Sequence, residues 1–423
     1  MNILFCCQFY SPSVGGVQEV IKQLAERLVE REHQVTVVTT KLAMRNFDTL
    51  NGVVIKDFNI KGNWVDGMAG EMELYQEYIS NGIFDVIMIY AAQQWTFDAL
   101  WPVLDKINAY KVFIPCGFSS LYEPRYAKYF QELPDVLRKF NHLIFHASKY
   151  RDIDFARKHS IERFTVIPNG ASKSEFDVVI DPMFRGRHGI PEQSFLFLTV
   201  GSFNGMKGHK EAVNAFAKIK LNKNQHATLI LNGNEVHRSE KDLSSLLAKI
   251  IGLVKIHGLF HTLKQVIRKI IRASASPRNI GESINKSQAN KQVLITDFCR
   301  KELNQAFMSA NLFVFASNIE YSPLVLFETV AAGTPFLTVN VGNAIEIAEW
   351  TEAGVICPSE IDTKYFTQVD ENVLAALMTE LMNNKALLED LGSKGRQNWL
   401  EHYTWEKIAV QYEQIFEQLL QEK

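Results

Sequence analysis

At 423 residues the chain exceeds what one ordinary hydrophobic core organises, so two or three domains are expected. A composition of 47% hydrophobic and 22% charged residues excludes a disordered or fibrous protein, and a net charge of −2 gives no global field for nucleic acid. Cys6, Cys7, Cys116, Cys299 and Cys357 follow neither a paired framework nor a metal-ligand spacing, which leads us to expect a reducing cytoplasm. The apolar N-terminal stretch is too short and too poorly flanked for a secretory signal, and no apolar run reaches membrane-spanning length. Any membrane association is therefore expected to be peripheral.

Residues 1–7 read as a buried strand, followed by a loop containing Pro12 and the pair Gly15-Gly16. From Val17 the apolar positions Val20, Ile21, Leu24, Ala25 and Leu28 recur at helical spacing, and residues 35–39 form the next strand. Such a strand, glycine loop, helix, strand unit builds a parallel sheet and places its loop at the carboxyl end of a strand, where these sheets bind ligands. The Gly-x-Gly-x-x-Gly fingerprint of dinucleotide binding is absent. Further apolar runs at 53–58, 85–90, 112–114, 143–145 and 164–167 predict a sheet of about seven parallel strands. Ile167-Pro168-Asn169-Gly170 closes this half, and residues 177–191, with two prolines and mixed charges, read as a linker.

The second half opens with a strand at 195–200 and the loop Gly201-Ser202-Phe203-Asn204-Gly205-Met206-Lys207-Gly208 before a helix from about His209. A glycine loop with one lysine can offer amides and a cation to a phosphate, although the Gly-Lys-Ser/Thr ending of a Walker loop is missing. A strand at 227–231 follows. Residues 241–272 are apolar at helical spacing and carry Lys249, Lys255, Lys264, Arg268, Lys269 and Arg272. Two readings fit equally: a basic amphipathic pair on an anionic membrane surface, or a helical hairpin with a solvated basic face. Residues 273–290, rich in Ser, Asn and Ala, read as a loop.

After strands at 293–296 and 312–315 comes Ser317-Asn318-Ile319-Glu320-Tyr321-Ser322-Pro323-Leu324-Val325-Leu326-Phe327-Glu328. Ser322 can cap a helix and Pro323 can start it. Glu328 then lies about 7 Å along the axis from the helix start, so a diphosphate at the free amides leaves an attached ribose near it. A surface helix with two solvated glutamates fits this spacing equally well.

Together these pieces resemble the retaining GT-B glycosyltransferases of family 4. The resemblance rests on Glu320-x7-Glu328, on Gly201 with Lys207-Gly208, on Gly15-Gly16, on Leu24-Ala25-Glu26-Arg27-Leu28 and on the closing Tyr403-Thr404-Trp405-Glu406 pattern. It covers nearly the whole chain except about residues 236–290. It implies an α/β fold of two Rossmann-like domains whose parallel sheets face each other across a cleft. The acceptor-side domain would span 1–176 and the donor-binding domain 192–405, with a basic insertion at 236–290. A closing helix at 406–423 would return to the first domain.

The resemblance also assigns roles. Glu320 would orient the donor sugar, Glu328 would hold the ribose, and Tyr321, Ser322, Pro323, Leu324 and Val325 would line the diphosphate. Gly16, Gly201, Ser202 and Lys207 would face the donor phosphates, with Glu320 and Lys207 as the catalytic pair. Gly15, Cys116 and His146 would lie on the acceptor side. Two positions depart from the family: Ser202 stands where an Arg is usual, and Cys116 where a His is common. A neutral thiol is a weak proton acceptor beside an imidazole.

The expected reaction moves a hexosyl group from a nucleotide diphosphate sugar, UDP-sugar favoured, to an acceptor hydroxyl with retention. A growing polysaccharide or lipid-linked glycan is the expected acceptor. No cofactor or metal is expected, no nucleic acid, and a cytoplasmic location, peripheral on the inner membrane face through Lys249–Arg272. Ser202 and Cys116 keep open a non-catalytic nucleotide-sugar-binding subunit. A nucleotide-sugar epimerase is a third reading.

Overall fold

The computed structural model describes residues 1–233 and 276–422. It divides into two compact units: unit 1 comprises Met1–Lys173, Tyr321–Phe327 and Trp399–Lys423, and unit 2 comprises Ser174–Glu320 and Glu328–Asn398.

Unit 1 contains the strands β1 (Asn2–Cys6), β2 (Gln34–Thr40), β3 (Thr49–Leu50), β4 (Val53–Phe58), β5 (Ile60–Asn63), β6 (Gly67–Gly70), β7 (Val86–Tyr90), β8 (Tyr110–Ile114), β9 (His142–Phe145) and β10 (Phe164–Val166). Eight of them form one sheet in the order β10-β9-β8-β7-β1-β2-β4-β3. Every pairing is parallel except the short edge β3–β4. The expected parallel core is present, and the antiparallel edge is an addition. Its central strands are apolar throughout because both faces are covered. Ile3 and Phe5 point into one core with Val20, Leu24 and Leu28 of the helix Gly16–Glu30, while Leu4 and Cys6 point into the other with Trp95 and Phe97. Strand alternation thus assigns neighbouring residues to opposite layers. The hairpin β5–β6 was not expected: Lys61-Gly62-Asn63 and the glycines at 67 and 70 carry no apolar alternation.

The closing helix Trp405–Gln421 belongs to unit 1, capped by Thr404, whose side chain accepts from the Lys407 amide. It buries Ile408, Tyr412 and Phe416 against the first core. Charged contacts fix its rotation. Arg27 meets Glu406 at 2.7 Å, and Arg31 and His33 meet Glu413 at 2.5 and 2.7 Å. Burial works against the Glu413 charge, but Arg31 and His33 outweigh it and hold the carboxyl below its ordinary value.

Unit 2 contains β11 (Ser194–Val200), β12 (His226–Asn232), β13 (Lys291–Thr296), β14 (Leu312–Phe315), β15 (Phe336–Val339), β16 (Gly354–Cys357), β17 (Ser359–Ile361) and β18 (Thr367–Val369). The first six form a parallel sheet in the order β13-β12-β11-β14-β15-β16, and β17–β18 is a separate antiparallel pair. β11 and β14 are therefore neighbours, so the loops that follow them leave the same edge.

Two expectations are corrected. Residues 273–290 hold a helix, Pro277–Ser287, rather than a loop. Ser276 caps it by accepting from the Asn279 amide, Pro277 opens it, and Ile284 is its buried apolar anchor. So few apolar positions left its polar face dominant in the sequence. Residues 177–191 are also more than a linker. They carry the short helix Phe184–Arg187 with Phe184 buried, and Arg185 donates to Ser194 O at 2.7 Å and Ser309 O at 3.3 Å, all within unit 2. The basic run Lys249–Arg272 lies outside the described residues. Among the described residues no helix is long and apolar enough to cross a membrane.

Because Glu413 pairs with Arg31 and accepts from His33 at a position only 7% exposed, Glu413→Ala is expected to cost about 2 kcal/mol. Hydrogen exchange across residues 405–421 should speed up more than exchange in unit 2.

Candidate active site

The site in unit 2 grows from the loop after β11. A side chain at Gly201 would meet the Lys207 Cβ at 2.8 Å, so the lysine stem lies over this glycine. Gly208 has φ +75°, and a Cβ there would stand 2.3 Å from the Ala316 carbonyl carbon. Only glycine lets the two backbones come that close. The loops are strapped together: Asn318 N donates to Met206 O at 2.9 Å, and Ser317 Oγ to the same oxygen at 3.0 Å. Across this strap Lys207 Nζ donates to Glu320 Oε1 at 2.7 Å, with Ser317 Oγ 3.1 Å from the same oxygen. Two residues chosen from motifs 113 positions apart thus meet directly. Behind them His209 is buried with its ring 4.3 Å from that of Phe203, and burial lowers its pKa to about 4, so it is neutral.

Glu328 lies on the helix Leu324–Ala331. Its Oε1 takes Arg300 Nη1 at 2.6 Å, and Arg300 also grips Glu175 through Nε at 2.8 Å and Nη2 at 2.6 Å. Burial works against the guanidinium charge, but the Glu328 and Glu175 carboxylates outweigh it and raise Arg300 above its ordinary value. Neither Arg300 nor Glu175 was anticipated. They stand 125 positions apart in ordinary polar surroundings, and no local pattern links them. The helix begins at Leu324 rather than Pro323, and the buried Ser322 Oγ has no hydrogen-bond partner, so Ser322 does not cap it. Pro323 O accepts from Leu326 N at 3.2 Å, within the first turn of the helix. Leu324 packs against the first core of unit 1, and Ser322 O accepts from Asn169 Nδ2 at 3.1 Å.

In unit 1, Gly15 is the extended residue before the helix Gly16–Glu30, and a Cβ on it would meet the Gln18 side chain at 2.6 Å. A Cβ on Gly16 would meet nothing within 4 Å. Among the described residues no atom demands that second glycine.

The loop after β8 is strained. Cys116, Gly117 and Phe118 take φ of +61°, +87° and +46°, a left-handed run that costs energy at the two non-glycine positions. Asp152, fully buried, holds it: Oδ2 accepts from Gly117 N at 2.8 Å and Oδ1 from Ile153 N at 2.9 Å. The Tyr321 hydroxyl donates to the same carboxyl and accepts from His146 N at 3.0 Å. Its ring lies against Gly117 and Tyr150. The Tyr321 side chain is thus engaged in unit 1.

His146 is also internal. Its Nδ1–H donates to Ile167 O at 2.8 Å, so Nε2 accepts from the Tyr90 hydroxyl at 2.7 Å. Burial lowers its pKa to about 4. Burial, then Asp152, raises the Cys116 thiol to about 12 despite the Tyr90 hydrogen bond. Cys116 and His146 are therefore neutral members of one network, and neither offers a base to an acceptor. Among the described residues no group of three or more His, Cys, Asp or Glu side chains is placed to hold a metal ion.

The sequence profile described as glycosyl transferases group 1 matches residues 181–398, a little over half of the chain. The chain belongs to that family. Among curated relatives it is 21% identical to N-acetyl-α-D-glucosaminyl L-malate synthase of Bacillus anthracis, over 97% of this chain and 96% of that one. Sucrose-phosphate synthase from Thermosynechococcus elongatus matches it with a TM-score of 0.71 at 19% identity, covering 100% of both chains. Anabaena HepE, solved in complex with UDP and glucose, matches with a TM-score of 0.66 at 14% identity, covering 99% of this chain and 100% of that one. The fold is GT-B, with a Rossmann-like parallel sheet in each unit.

Burial lifts Asp152 from 3.8 to about 6. A raised folded-state pKa contributes stability that is complete below pH 3.8 and is lost as pH rises through about 6. Asp152→Asn removes this dependence. On acidification from pH 7 to pH 5 the variant should gain about 1 kcal/mol less than the wild type. Thermal unfolding at the two pH values checks it, since the opposing His146 contribution is common to both proteins.

Proposed function

We propose that the protein transfers a hexosyl group from a nucleotide diphosphate sugar to an acceptor hydroxyl with retention of anomeric configuration. The observation that carries this reading is the Lys207–Glu320 ion pair at the shared loop edge of β11 and β14. A cation for the leaving diphosphate and a carboxylate for the sugar hydroxyls stand side by side. UDP-sugar is favoured as donor, supported by the UDP complex of the Anabaena protein. Lys207 and the amide of Ser202 stabilise the diphosphate as charge develops on it. Glu320 orients the sugar, and Glu328 holds the ribose.

With Cys116 and His146 both neutral, the acceptor proton goes to the leaving phosphate oxygen on the same face. The acceptor oxygen bonds to the anomeric carbon as the bond from that carbon to the phosphate oxygen breaks. No metal takes part in this scheme. The acceptor is a growing polysaccharide or lipid-linked glycan, and the cationic run at 249–272 supports a site of action peripheral to the inner membrane face.

The test starts with a thermal-shift panel of nucleotide sugars, where a ligand at a hundredfold over its Kd adds about 2.7 kcal/mol. Anomeric proton NMR of the transfer product, formed with chelator present, then reads configuration and metal independence. Binding with neither hydrolysis nor transfer would instead identify a regulatory subunit. Lys207→Ala should weaken nucleotide diphosphate binding by at least about tenfold, the loss of one charged hydrogen bond. Full activity in Lys207→Ala would sink the assignment.

A further inference from the structure

We propose that Arg300, gripped by Glu175, is a positioning residue for Glu328 and thereby sets the ribose selectivity of the donor site. The inference rests on the reading that Glu328 holds the ribose, and it assigns two residues that the family motif does not contain. Its basis is geometric. Nε and Nη2 of Arg300 make parallel bonds of 2.8 and 2.6 Å to the two oxygens of Glu175. A guanidinium is planar and its donors diverge at fixed angles, so fixing two of them fixes the third. That third donor, Nη1, stands 2.6 Å from Glu328 Oε1.

The three residues come from separate parts of unit 2. Glu175 sits on the short helix Lys173–Phe176, Arg300 opens the helix Arg300–Ser309 after β13, and Glu328 lies on the helix Leu324–Ala331. The Glu328 side chain is only 8% exposed, whereas Arg300 is 39% exposed. The carboxylate is the enclosed partner, and the cation reaches it from a more open position. A brace for the helix alone needs no such fork, since a lysine would supply the charge. Recognition of a vicinal diol requires carboxylate oxygens held in one orientation, which is what a clamped guanidinium provides. With its donors turned to these two carboxylates, Arg300 also does not replace the cation that Ser202 lacks. Lys207 remains the diphosphate's side-chain partner.

The test is calorimetric titration of the full-length protein with UDP and with 2′,3′-dideoxy-UDP, or with the ADP or GDP pair should either of those bind more tightly. The wild type is expected to prefer the ribonucleotide by at least about tenfold, the value of a charged hydrogen bond. Arg300→Lys keeps the charge but loses the fork, and should bring the preference to within about threefold by weakening the ribonucleotide alone. Glu175→Gln should move the ratio in the same direction by less, and carries the test if the arginine variant does not fold. A wild-type preference that both variants retain, or a loss that falls equally on both nucleotides, would overturn the inference and leave the donor site intact. A wild type with no preference, or no binding of any of the three diphosphates, would remove the ribose reading of Glu328 and the inference with it.

Discussion

The contact on which the site depends is the 2.7 Å ion pair between Lys207 and Glu320. It can form because β11 and β14 are adjacent parallel strands, so their loops leave the sheet side by side. Gly208 then lets the first loop lie against the backbone of the second. Both side chains are largely enclosed, at 27% and 15% exposure, so removing either leaves a poorly solvated charge. On the proposed reading, each group holds the other until a donor arrives. A diphosphate, with more negative charge than one carboxylate, competes for Lys207 and turns Glu320 toward the sugar hydroxyls.

Unit 1 supplies a different kind of order. Its loop after β8 holds three successive left-handed residues, a conformation that persists only where the surroundings over-determine it. The buried Asp152 does so through the Gly117 amide and the Tyr321 hydroxyl. The Tyr90, His146 and Cys116 side chains fill the remaining volume in neutral form, each with its pKa moved by burial away from the charged state. Such a network gives shape and no proton transfer. A reaction in which the leaving group takes the acceptor proton needs no more from it.

The sheets were legible in the sequence because strands buried on both faces are apolar throughout, and the runs at 195–200 and 312–315 have no other sensible state. The glycine loop and the two glutamates could be read as well, since helix starts and loop glycines leave local signatures. Side-chain partners left none. Arg300 finds Glu175 and Glu328 only once three elements are packed, and a histidine such as His146 looks the same in sequence whether it faces a ligand or a carbonyl. Ser322 was read as a cap from its residue type, but the helix begins one residue later than expected, at Leu324, and the Ser322 hydroxyl makes no capping bond. Pro277–Ser287 was hidden for the opposite reason: its cap was present, but Ile284 alone anchors it deeply.

The most direct test of the account is a crystal structure of the full chain with UDP bound. The account predicts Lys207 Nζ within hydrogen-bonding distance of a diphosphate oxygen, the ribose hydroxyls on Glu328, and Glu320 released from the lysine. Nucleotide bound elsewhere, with the Lys207–Glu320 pair unchanged, would contradict it.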